Sequence, residues 1–494
     1  MSTQQTLDLM KTALQKSSDD IAKTVSTATG LVAYDLQAPS KNLYPVNTPL
    51  RNRIPRVADG TGTATNWKAI KQIVGSGFDA MGWVPEGQRS ARMSYTALNV
   101  SASYVTLGEE DQVTYEARSA ARTFEDIQST ASMRVLQKMM LKEENAILMG
   151  NKSTSLGTVG AVTTSASGAA GTLPALTYSV ICVALTGEGL RNSSIVSGVA
   201  TSQVITGADG QTFTLSGGSS NKSAATTQAV TLGQVLFASV APINGALAYA
   251  WYTGAAGAER LEKITSLNSV TFSAPLLGTG QLATVVVADN SKNALGFDGL
   301  LYTALQPGSG ATVIVQPTGV AGTGTVLTPT ARGTILEIDN MLQAMWDQYQ
   351  VSPTVIYANS QEIKNITNKG LTGSGSAPLM QIMVDPSTGL PNVTIGGIVG
   401  WYFNPFAMNG GIKIPIKIHP TLPAGTLVGW CEDLPVQYQS NNVPNTAEMK
   451  VRVDYYQINW PLRTRAQEFG VYAEEVLAVY APFAMGVITN IANG

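Results

Sequence analysis

The chain has 494 residues, of which only 13% are charged, and its formal net charge is −2. This length suits two or three domains with buried cores, while the 48 glycines and the shortage of charge favour β-structure with partner-covered surfaces over a soluble helical enzyme. The near-neutral charge argues against electrostatic wrapping of nucleic acid, which needs a clustered basic face.

Histidine and cysteine are too few for the common catalytic and metal sites. A single histidine, His419, excludes a Ser-His-Asp triad and a multi-histidine metal site, and we expect it at the surface or partly packed. Cys182 and Cys431 lack metal-binding spacing, so buried free thiols are favoured over a disulfide. Phosphate-binding glycine motifs are also missing. The sequence therefore predicts no enzyme, no cofactor and no metal.

Residues 1–63 predict a short helix followed by an extended arm. Apolar residues recur at helical spacing from Leu7 to Val25, and Gly30 ends the pattern. Prolines between Pro39 and Pro55 then favour extended backbone, accompanied by three basic residues: Arg51, Arg53 and Arg56. Since no apolar run resembles a signal peptide or a membrane span, we expect a cytosolic chain whose arm lies on another surface.

Residues 64–117 predict a long β-hairpin. The segment from Trp67 to Val74 leads outward, and a run rich in β-formers returns from Met93 to Leu107. Between them lies a loop that contains Trp83. A hairpin of this length is marginal in water, so a neighbouring molecule is expected to support it.

Residues 118–151 predict an unusually long helix, capped by Thr123 and with an apolar stripe from Phe124 to Met149. About 28 helical residues would span roughly 40 Å. A second stripe consists of like charges at i, i+4 spacing, which repel unless acids face them: Arg134, Lys138 and Lys142. Acids of a neighbouring subunit are favoured over a nucleic-acid backbone as their partners.

Two adjacent glutamates, Glu143 and Glu144, stand near the end of this helix. Successive helical side chains diverge by about 100°, so their carboxylates cannot converge on one substrate bond. We therefore expect a solvated or intersubunit ion-pairing role in place of acid–base catalysis.

Composition changes sharply after Asn151, where Thr, Ser, Ala and Gly replace most charges. Residues 152–172 are interpreted as a linker and residues 173–290 as a β-sandwich, because short segments with period-two alternation recur between turns. Trp251 is expected in the sandwich core, although a sugar-stacking platform with Tyr249 and Tyr252 is the alternative. Residues 291–494 return to mixed helices and strands, including a helix from Ile335 to Tyr349.

Several of these segments resemble the tailed-bacteriophage major capsid proteins with the HK97 fold. The run Trp83-Val84-Pro85-Glu86-Gly87 resembles the family's loop-tip motif, and the predicted long helix follows it at the expected distance. Three later segments resemble its strands: Ile395–Gly400, Leu422–Asp433 and Val476–Ala484. The resemblance covers most of residues 31–151 and 291–494. The stretch between them is similar to the immunoglobulin- or fibronectin-like domains that some capsid proteins carry.

The resemblance implies an α+β, HK97-like fold with an N-arm, an extended loop, a spine helix, and peripheral and axial domains, interrupted by an exposed sandwich. It implies a virion shell of hexamers and pentamers, assembled in the bacterial host cytoplasm without a membrane. Double-stranded DNA would face the inner surface without sequence specificity, with a portal and a separate scaffolding protein as partners. The implied or expected intersubunit contacts are Trp83, Val84, Glu86, Gly87, Arg51, Arg53, Arg56, Arg134, Lys138 and Lys142.

Two alternatives stay open. An encapsulin-like nanocompartment shares the fold and differs in its cargo, so nucleic acid inside purified particles discriminates between the two. A cell-surface adhesin would also carry a β-sandwich and few charges, but it requires an export signal, which we do not expect here.

Overall fold

The structure, a computed structural model, describes residues 43–75, 81–122, 125–168, 170–331, 333–372, 381–384, 391–394, 400–407, 410–435 and 445–494. The predicted N-terminal helix, the first part of the arm, Thr123, and most of the Ile395–Gly400 segment lie outside these residues. In the described part of the chain, no helix is both long enough and apolar enough to span a membrane.

The helices are α1 Tyr115–Ala121, α2 Ile127–Met149, α3 Gly187–Asn192, α4 Leu300–Leu305, α5 Leu336–Tyr349 and α6 Ser360–Thr372. The strands up to the middle of the chain are β1 Arg56–Val57, β2 Ala64–Val74, β3 Ser94–Ser103, β4 Val105–Thr114, β5 Thr163–Ser167, β6 Leu176–Leu185, β7 Ser202–Thr206, β8 Thr212–Ser216, β9 Thr226–Val230, β10 Val235–Ser239, β11 Ala248–Gly254, β12 Arg260–Thr265 and β13 Ser269–Phe272. The later strands are β14 Thr312–Val315, β15 Pro329–Ala331, β16 Thr334–Ile335, β17 Val355–Ala358, β18 Gln381–Val384, β19 Pro391–Thr394, β20 Trp401–Asn404, β21 Ile412–Ile418, β22 Leu427–Trp430, β23 Ala447–Asn459, β24 Ala466–Val479 and β25 Met485–Thr489. The mixture confirms the predicted α+β class.

A six-stranded mixed sheet in the order β14-β25-β22-β17-β21-β20 organises the C-terminal part of the chain. Helix α5, predicted from its apolar spacing, packs on this sheet through Ile338, Leu342 and Met345, all of which are fully buried. The shorter α4 shares a core with Tyr357 and Trp430 on the neighbouring strands β17 and β22. These contacts anchor the end of α2, which packs against α4.

A second sheet, in the order β1-β23-β24-β4, carries the long helix. Ala131, Val135 and Met139 recur every four residues along α2 and pack on Val113 and Phe469 of this sheet. An i, i+4 apolar stripe of this kind buries one helix face and leaves the opposite face exposed.

The long helix begins later than its sequence pattern predicts. Asp126 caps α2 with its Oδ1 atom, which accepts hydrogen bonds from the backbone N–H groups of Gln128 at 3.2 Å and Ser129 at 3.3 Å. The helix therefore has 23 residues, and the separate helix α1 precedes it. Asp126 thus occupies the cap position of α2, and the predicted cap residue Thr123 lies outside the described residues.

The predicted hairpin is present as β2 and β3, which pair antiparallel from Ala64–Ser103 to Val74–Ser94 with an irregularity between Ile70 and Gln72. Its returning strand ends earlier than predicted. The backbone N–H of Tyr104 bonds to Thr63 O at 3.0 Å, and the chain then enters β4, which pairs with β24. The residues after Ser103, which were expected to continue the hairpin, therefore pair in the second sheet.

Residues 156–286 contain two larger sheets, ordered β13-β10-β5 and β12-β11-β6-β9, and the two-stranded hairpin of β7 and β8. Trp251 is fully buried between them with Tyr178, Val180 and Phe272, which confirms its predicted place in the core. The linker predicted over residues 152–172 was wrong: β5 pairs with β10, and the core includes Leu156, Val159 and Val162. A composition rich in small residues concealed this short strand. Cys182 and Cys431 are buried free thiols, as expected.

The two ends of this two-sheet domain meet at the end of α2. The backbone N–H of Gly299 donates to Gly150 O at 2.8 Å, and that of Asn293 donates to Asn151 O at 2.7 Å. A Cβ atom on Gly299 would lie 2.6 Å from Ala146 O, so the chains approach too closely for a larger residue. This closure means that the domain is inserted at one point of the surrounding fold.

The inserted domain also shares buried contacts with the rest of the chain. The hydroxyl of Tyr302 on α4, outside the inserted domain, donates to Gly245 O at 2.9 Å and accepts from Gly187 N at 3.0 Å, and both glycines belong to the inserted domain. Asn490 joins Asn268 through two hydrogen bonds of 3.0 and 3.1 Å. Buried polar contacts of this kind fix the domain against its neighbour.

Gly299→Ala should reduce the free energy of unfolding by roughly 1–3 kcal/mol, because the added methyl group overlaps backbone atoms that cannot move aside. Chemical denaturation followed by circular dichroism measures the change. Gly160→Ala is the matched control, since a Cβ there meets nothing within 4 Å. Equal effects of the two substitutions would contradict the proposed close approach at the domain junction.

Candidate assembly surface and buried charge cluster

The hairpin of β2 and β3 presents a large surface to solvent. Every residue from 81 to 99 is exposed, and the side chain of Trp83 at the tip is 92% exposed. Met81, Met93 and Leu98 are also about half exposed or more. Soluble monomers rarely display so many contiguous apolar side chains, so a partner surface is indicated here.

The base of this hairpin is anchored on only one of its two faces. Trp67 packs edge-on against Tyr480, with ring centroids 5.3 Å apart. On the opposite face, Ile70, Ile73 and Tyr95 are more than half exposed. Since β-strand side chains alternate between faces, the subunit covers one face near the base and leaves the other face bare.

The predicted tip residues lie together at the far end of the hairpin. Trp83, Val84, Glu86 and Gly87 are all exposed. Gly87 has a φ of +76°, a left-handed conformation that favours glycine, in a turn closed by Gln88 N and Pro85 O at 3.1 Å. The motif therefore shapes a tight turn that holds the tryptophan outward.

The basic stripe on α2 divides into two parts. Lys142 forms an ion pair with Glu109 on β4 of the same chain, while its predicted contact with a neighbouring subunit stays a prediction. Arg134 and Lys138 are exposed, and within the described residues neither has an acidic partner. Their contact beyond this subunit stays a prediction.

Glu143 lies at the centre of a buried charge cluster inside one subunit. Its carboxylate accepts a hydrogen bond from Arg51 Nε at 2.7 Å and another from Arg56, and the hydroxyl of Tyr455 donates to the same carboxylate. Burial, followed by the charge of Glu143, raises the pKa of Tyr455, so this phenol stays protonated as a donor. The expected solvated or intersubunit role of Glu143 was wrong.

Glu144 binds different partners because adjacent helical side chains diverge. Its carboxylate accepts from the backbone N–H groups of Leu50 at 3.0 Å and Arg51 at 2.8 Å. His419 lies with Nε2 2.7 Å from the same carboxylate, while its Nδ1 accepts from Thr421 N at 3.3 Å. These partners assign the proton to Nε2. His419 is buried, so its predicted surface position was wrong.

The arm segment from residue 48 to residue 57 is thereby fixed to its own subunit. Leu50 and Ile54 enter the main hydrophobic core, and β1 pairs in parallel with β23. Arg53 bonds to Glu432 through Nε at 3.0 Å. The three arginines bind acids of their own chain, because the arm turns back over the end of α2, and their predicted contact with another subunit stays a prediction.

Arg56 also connects the cluster to the second sheet. Its guanidinium group donates to Asp454 at 2.8 Å and to Glu475 at 3.0 Å. Burial, and next the repulsion of Glu143, raise the pKa of Glu475 to about 7 against the attraction of Arg56 and Arg51. The second carboxyl oxygen of Glu475, Oε1, is buried and has no hydrogen-bond partner among the residues that the structure describes.

This cluster joins four parts of the chain without forming a catalytic arrangement. Among the described residues, no group of three or more His, Cys, Asp or Glu side chains could hold a metal ion. Sequence reasoning missed Tyr455 and Glu475 as functional residues. The sequence did contain a signal for Glu475. It directly precedes the apolar run Val476–Val479 of a predicted strand, and a carboxylate buried at such a position needs a partner.

Comparison with known proteins gives no matching family model and no matching curated protein. Among solved structures, a capsid of a native GTA particle is 10% identical with a TM-score of 0.42, covering 96% of this chain and 99% of its own. The capsid of Myoviridae phage XM1 is 10% identical with a TM-score of 0.41, covering 95% and 100%. The capsid of cyanophage P-SCSP1u is 7% identical with a TM-score of 0.40, covering 95% and 96%.

Glu143→Gln should lower the thermal unfolding temperature strongly, since it leaves Arg51 and Arg56 buried with less countercharge. Breaking a buried ion pair costs about 3–5 kcal/mol. Glu116→Gln is the control, because its pair with Arg465 is largely exposed and should contribute less than about 1 kcal/mol. Calorimetry of both variants checks this, and equal melting temperatures would show that the buried cluster adds no stability.

Proposed function

We propose that this chain is a major capsid protein, many copies of which assemble into a closed icosahedral shell around double-stranded DNA. The carrying observation is the exposed β2–β3 hairpin, whose residues 81–99 are uncovered by their own subunit. The loop-tip motif from Trp83 to Gly87 supports the same assignment through its resemblance to capsid proteins.

The hairpin needs a neighbouring molecule on energetic grounds. Its strands have 11 and 10 residues, and a two-stranded ribbon is marginally stable by itself. Burying one large apolar side chain contributes about 1.5–3 kcal/mol, and Trp83, Ile70 and Ile73 are all available. Contact with a second molecule therefore stabilises the hairpin as well as the assembly.

A second copy of the chain is the partner that we infer. The hairpin projects from one place on the subunit, so its docking on a different surface of the next copy makes a heterologous contact. Such contacts, repeated by rotation, generate closed rings. Hexameric and pentameric rings of this kind are the units that the capsid resemblance implies. The exposed Arg134 and Lys138 are candidates for further contacts between copies.

The arm and the long helix have distinct roles in this proposal. Residues 48–57 are held on α2 by the buried ion pairs of Arg51 and Arg56 with Glu143, so the arm segment and the helix act as one unit of the subunit. DNA would face the shell interior without sequence-specific contacts. A portal and a separate scaffolding protein are further partners implied by the resemblance alone.

The inserted two-sheet domain is proposed as an integral part of the subunit with an exposed outer side. Its contacts through Tyr302, Asn268 and Asn490 are buried. A domain added only as a surface decoration would share fewer polar contacts with the body of the subunit.

Electron microscopy of the purified protein tests the function directly. Closed icosahedral particles that retain double-stranded DNA after nuclease treatment are expected. Particles filled with protein cargo and free of nucleic acid would favour an encapsulin-like compartment. A protein that stays monomeric at every concentration and ionic strength, although folded, would overturn the proposal.

Trp83→Ala should leave a folded subunit that assembles poorly. Loss of about 2 kcal/mol per contact weakens association by roughly 30-fold. Light scattering and sedimentation measure the concentration at which particles form. Val196→Ala is the control, because Val196 is 98% exposed but lies in the inserted domain. Normal particle formation by the Trp83 variant would refute the role of the hairpin tip.

Replacing residues 152–292 by two glycines should give an unstable or insoluble subunit, although the ends of the gap lie close together. The deletion uncovers Met149 and Tyr302, which are fully buried beside the inserted domain. As a control, replacing residues 203–215 removes only the largely exposed hairpin of β7 and β8 and should be tolerated. Solubility and circular dichroism are the measurements. Soluble, shell-forming protein from the larger deletion would show that the domain is dispensable decoration.

A further inference from the structure

The long helix covers only one face of the second sheet. Strand residues alternate between faces, and those of β4 and β24 that pack against α2 include Val113, Phe469 and Val471. On the opposite face of the same strands, Glu110 is exposed and Glu468 is half-buried. We call this opposite surface the acidic face, formed by Glu110, Tyr456, Trp460, Glu468 and Tyr472.

Two glycines let a tyrosine ring lie flat on the acidic face. Cβ atoms on Gly108 and Gly470 would lie 2.4 and 2.7 Å from carbon atoms of the Tyr472 ring. This ring stacks beside that of Tyr456, with centroids 5.9 Å apart and an angle of 29° between the planes. The two rings thus form a broad aromatic surface of the kind on which a guanidinium group stacks.

Glu110 is the acceptor beside this aromatic surface. Its Oε1 atom accepts hydrogen bonds from Trp460 Nε1 at 3.2 Å and from the hydroxyl of Tyr472. Burial, and next the bond to Glu110, raise the pKa of Tyr472, so this phenol stays protonated as a donor. Both donors use the same oxygen and Glu110 is exposed, so a further donor can approach Oε2.

The acidic face keeps an excess of negative charge. Glu474, on the same side of β24, pairs with Arg452. Within the described part of the chain, neither Glu110 nor Glu468 forms an ion pair. The face therefore suits a cation that can both stack on a ring and bond to a carboxylate, which is the chemistry of arginine.

The β2–β3 hairpin has the complementary charge. Residues 64–103 contain four basic and two acidic residues. Arg89 and Arg92 follow the tip, are exposed, and pair with no acid among the residues that the structure describes. Trp83 and Met93, close to them in the chain, expose apolar surface that can pack on aromatic rings.

The hairpin cannot bring these arginines to the acidic face of its own subunit. Strand β3 ends at Ser103 and β4 begins at Val105, so the face adjoins the base of the hairpin. At about 3.3 Å per residue, a paired strand of 10 residues holds the tip roughly 30 Å from that base. A second copy of the chain can supply the arginines instead.

We propose that the acidic face is the site on which the next copy of the chain docks Arg89 and Arg92 of its hairpin. The guanidinium groups stack on Tyr456 and Tyr472 and bond to Glu110. This inference rests on the proposed function, since it names the surface that receives the hairpin at each contact between copies. Opposite charges steer the two surfaces together and fix their register.

Paired charge reversal tests the docking site. One variant carries Arg89→Glu and Arg92→Glu, and a second carries Glu110→Lys and Glu468→Lys. Each should raise the concentration at which particles form by about tenfold or more, because like charges then meet. Sedimentation velocity and light scattering measure that concentration, and circular dichroism checks that each variant is folded. A variant with all four substitutions reverses both partners and should form particles within about threefold of the wild-type concentration.

Asp347→Lys is the matched control, because this exposed acid lies on α5, away from the acidic face. It should assemble at the wild-type concentration, and a tenfold loss here too would assign the effect to net charge and overturn the docking site. Wild-type assembly by either reversed variant, or no restoration in the combined variant, would overturn the docking site and leave the capsid function standing. A wild-type chain that never associates would overturn both.

Discussion

Two adjacent carboxylates at the buried end of α2 bring together the separate parts of this subunit. Glu143 takes the guanidinium groups of Arg51 and Arg56, and Glu144 takes two backbone N–H groups of the same arm. Ionised groups remain stable in a protein interior only when every oxygen finds a donor. Helical geometry makes this possible here, because neighbouring side chains point to different partners. The arm, helix and both C-terminal sheets are consequently held in one arrangement.

That internal rigidity contrasts with the uncovered hairpin of β2 and β3. Its base packs against Tyr480, but Ile70, Ile73 and Trp83 are more than half exposed in the described part of the subunit. A rigid body that displays an apolar ribbon is suited to assembly, since the ordering entropy is already spent before a neighbour binds.

The inserted domain extends the same body. Its ends close on Gly150 and Gly299, where the backbone approach excludes a Cβ atom. Buried hydrogen bonds through Tyr302 and Asn490 then join it to α4 and to the end of β25. The domain thus contributes to the subunit core as well as to its outer surface. A linker of small residues would have permitted independent motion, but that segment is instead strand β5.

Local sequence patterns were sufficient for the α+β class, for α5, for the β2–β3 hairpin and for the core position of Trp251. Each of these predictions uses only residues close together in the sequence, because an apolar periodicity of 3.6 residues marks the buried face of a helix and one of 2 marks that of a strand. The sequence also determined that Glu143 and Glu144 cannot act on one substrate bond as a catalytic acid–base pair. Only the tertiary structure decided their partners: His419 lies 275 positions from Glu144, and Tyr455 lies 312 positions from Glu143. Pairing over such separations depends on how the arm and sheets fold around α2, and no local pattern encodes that approach.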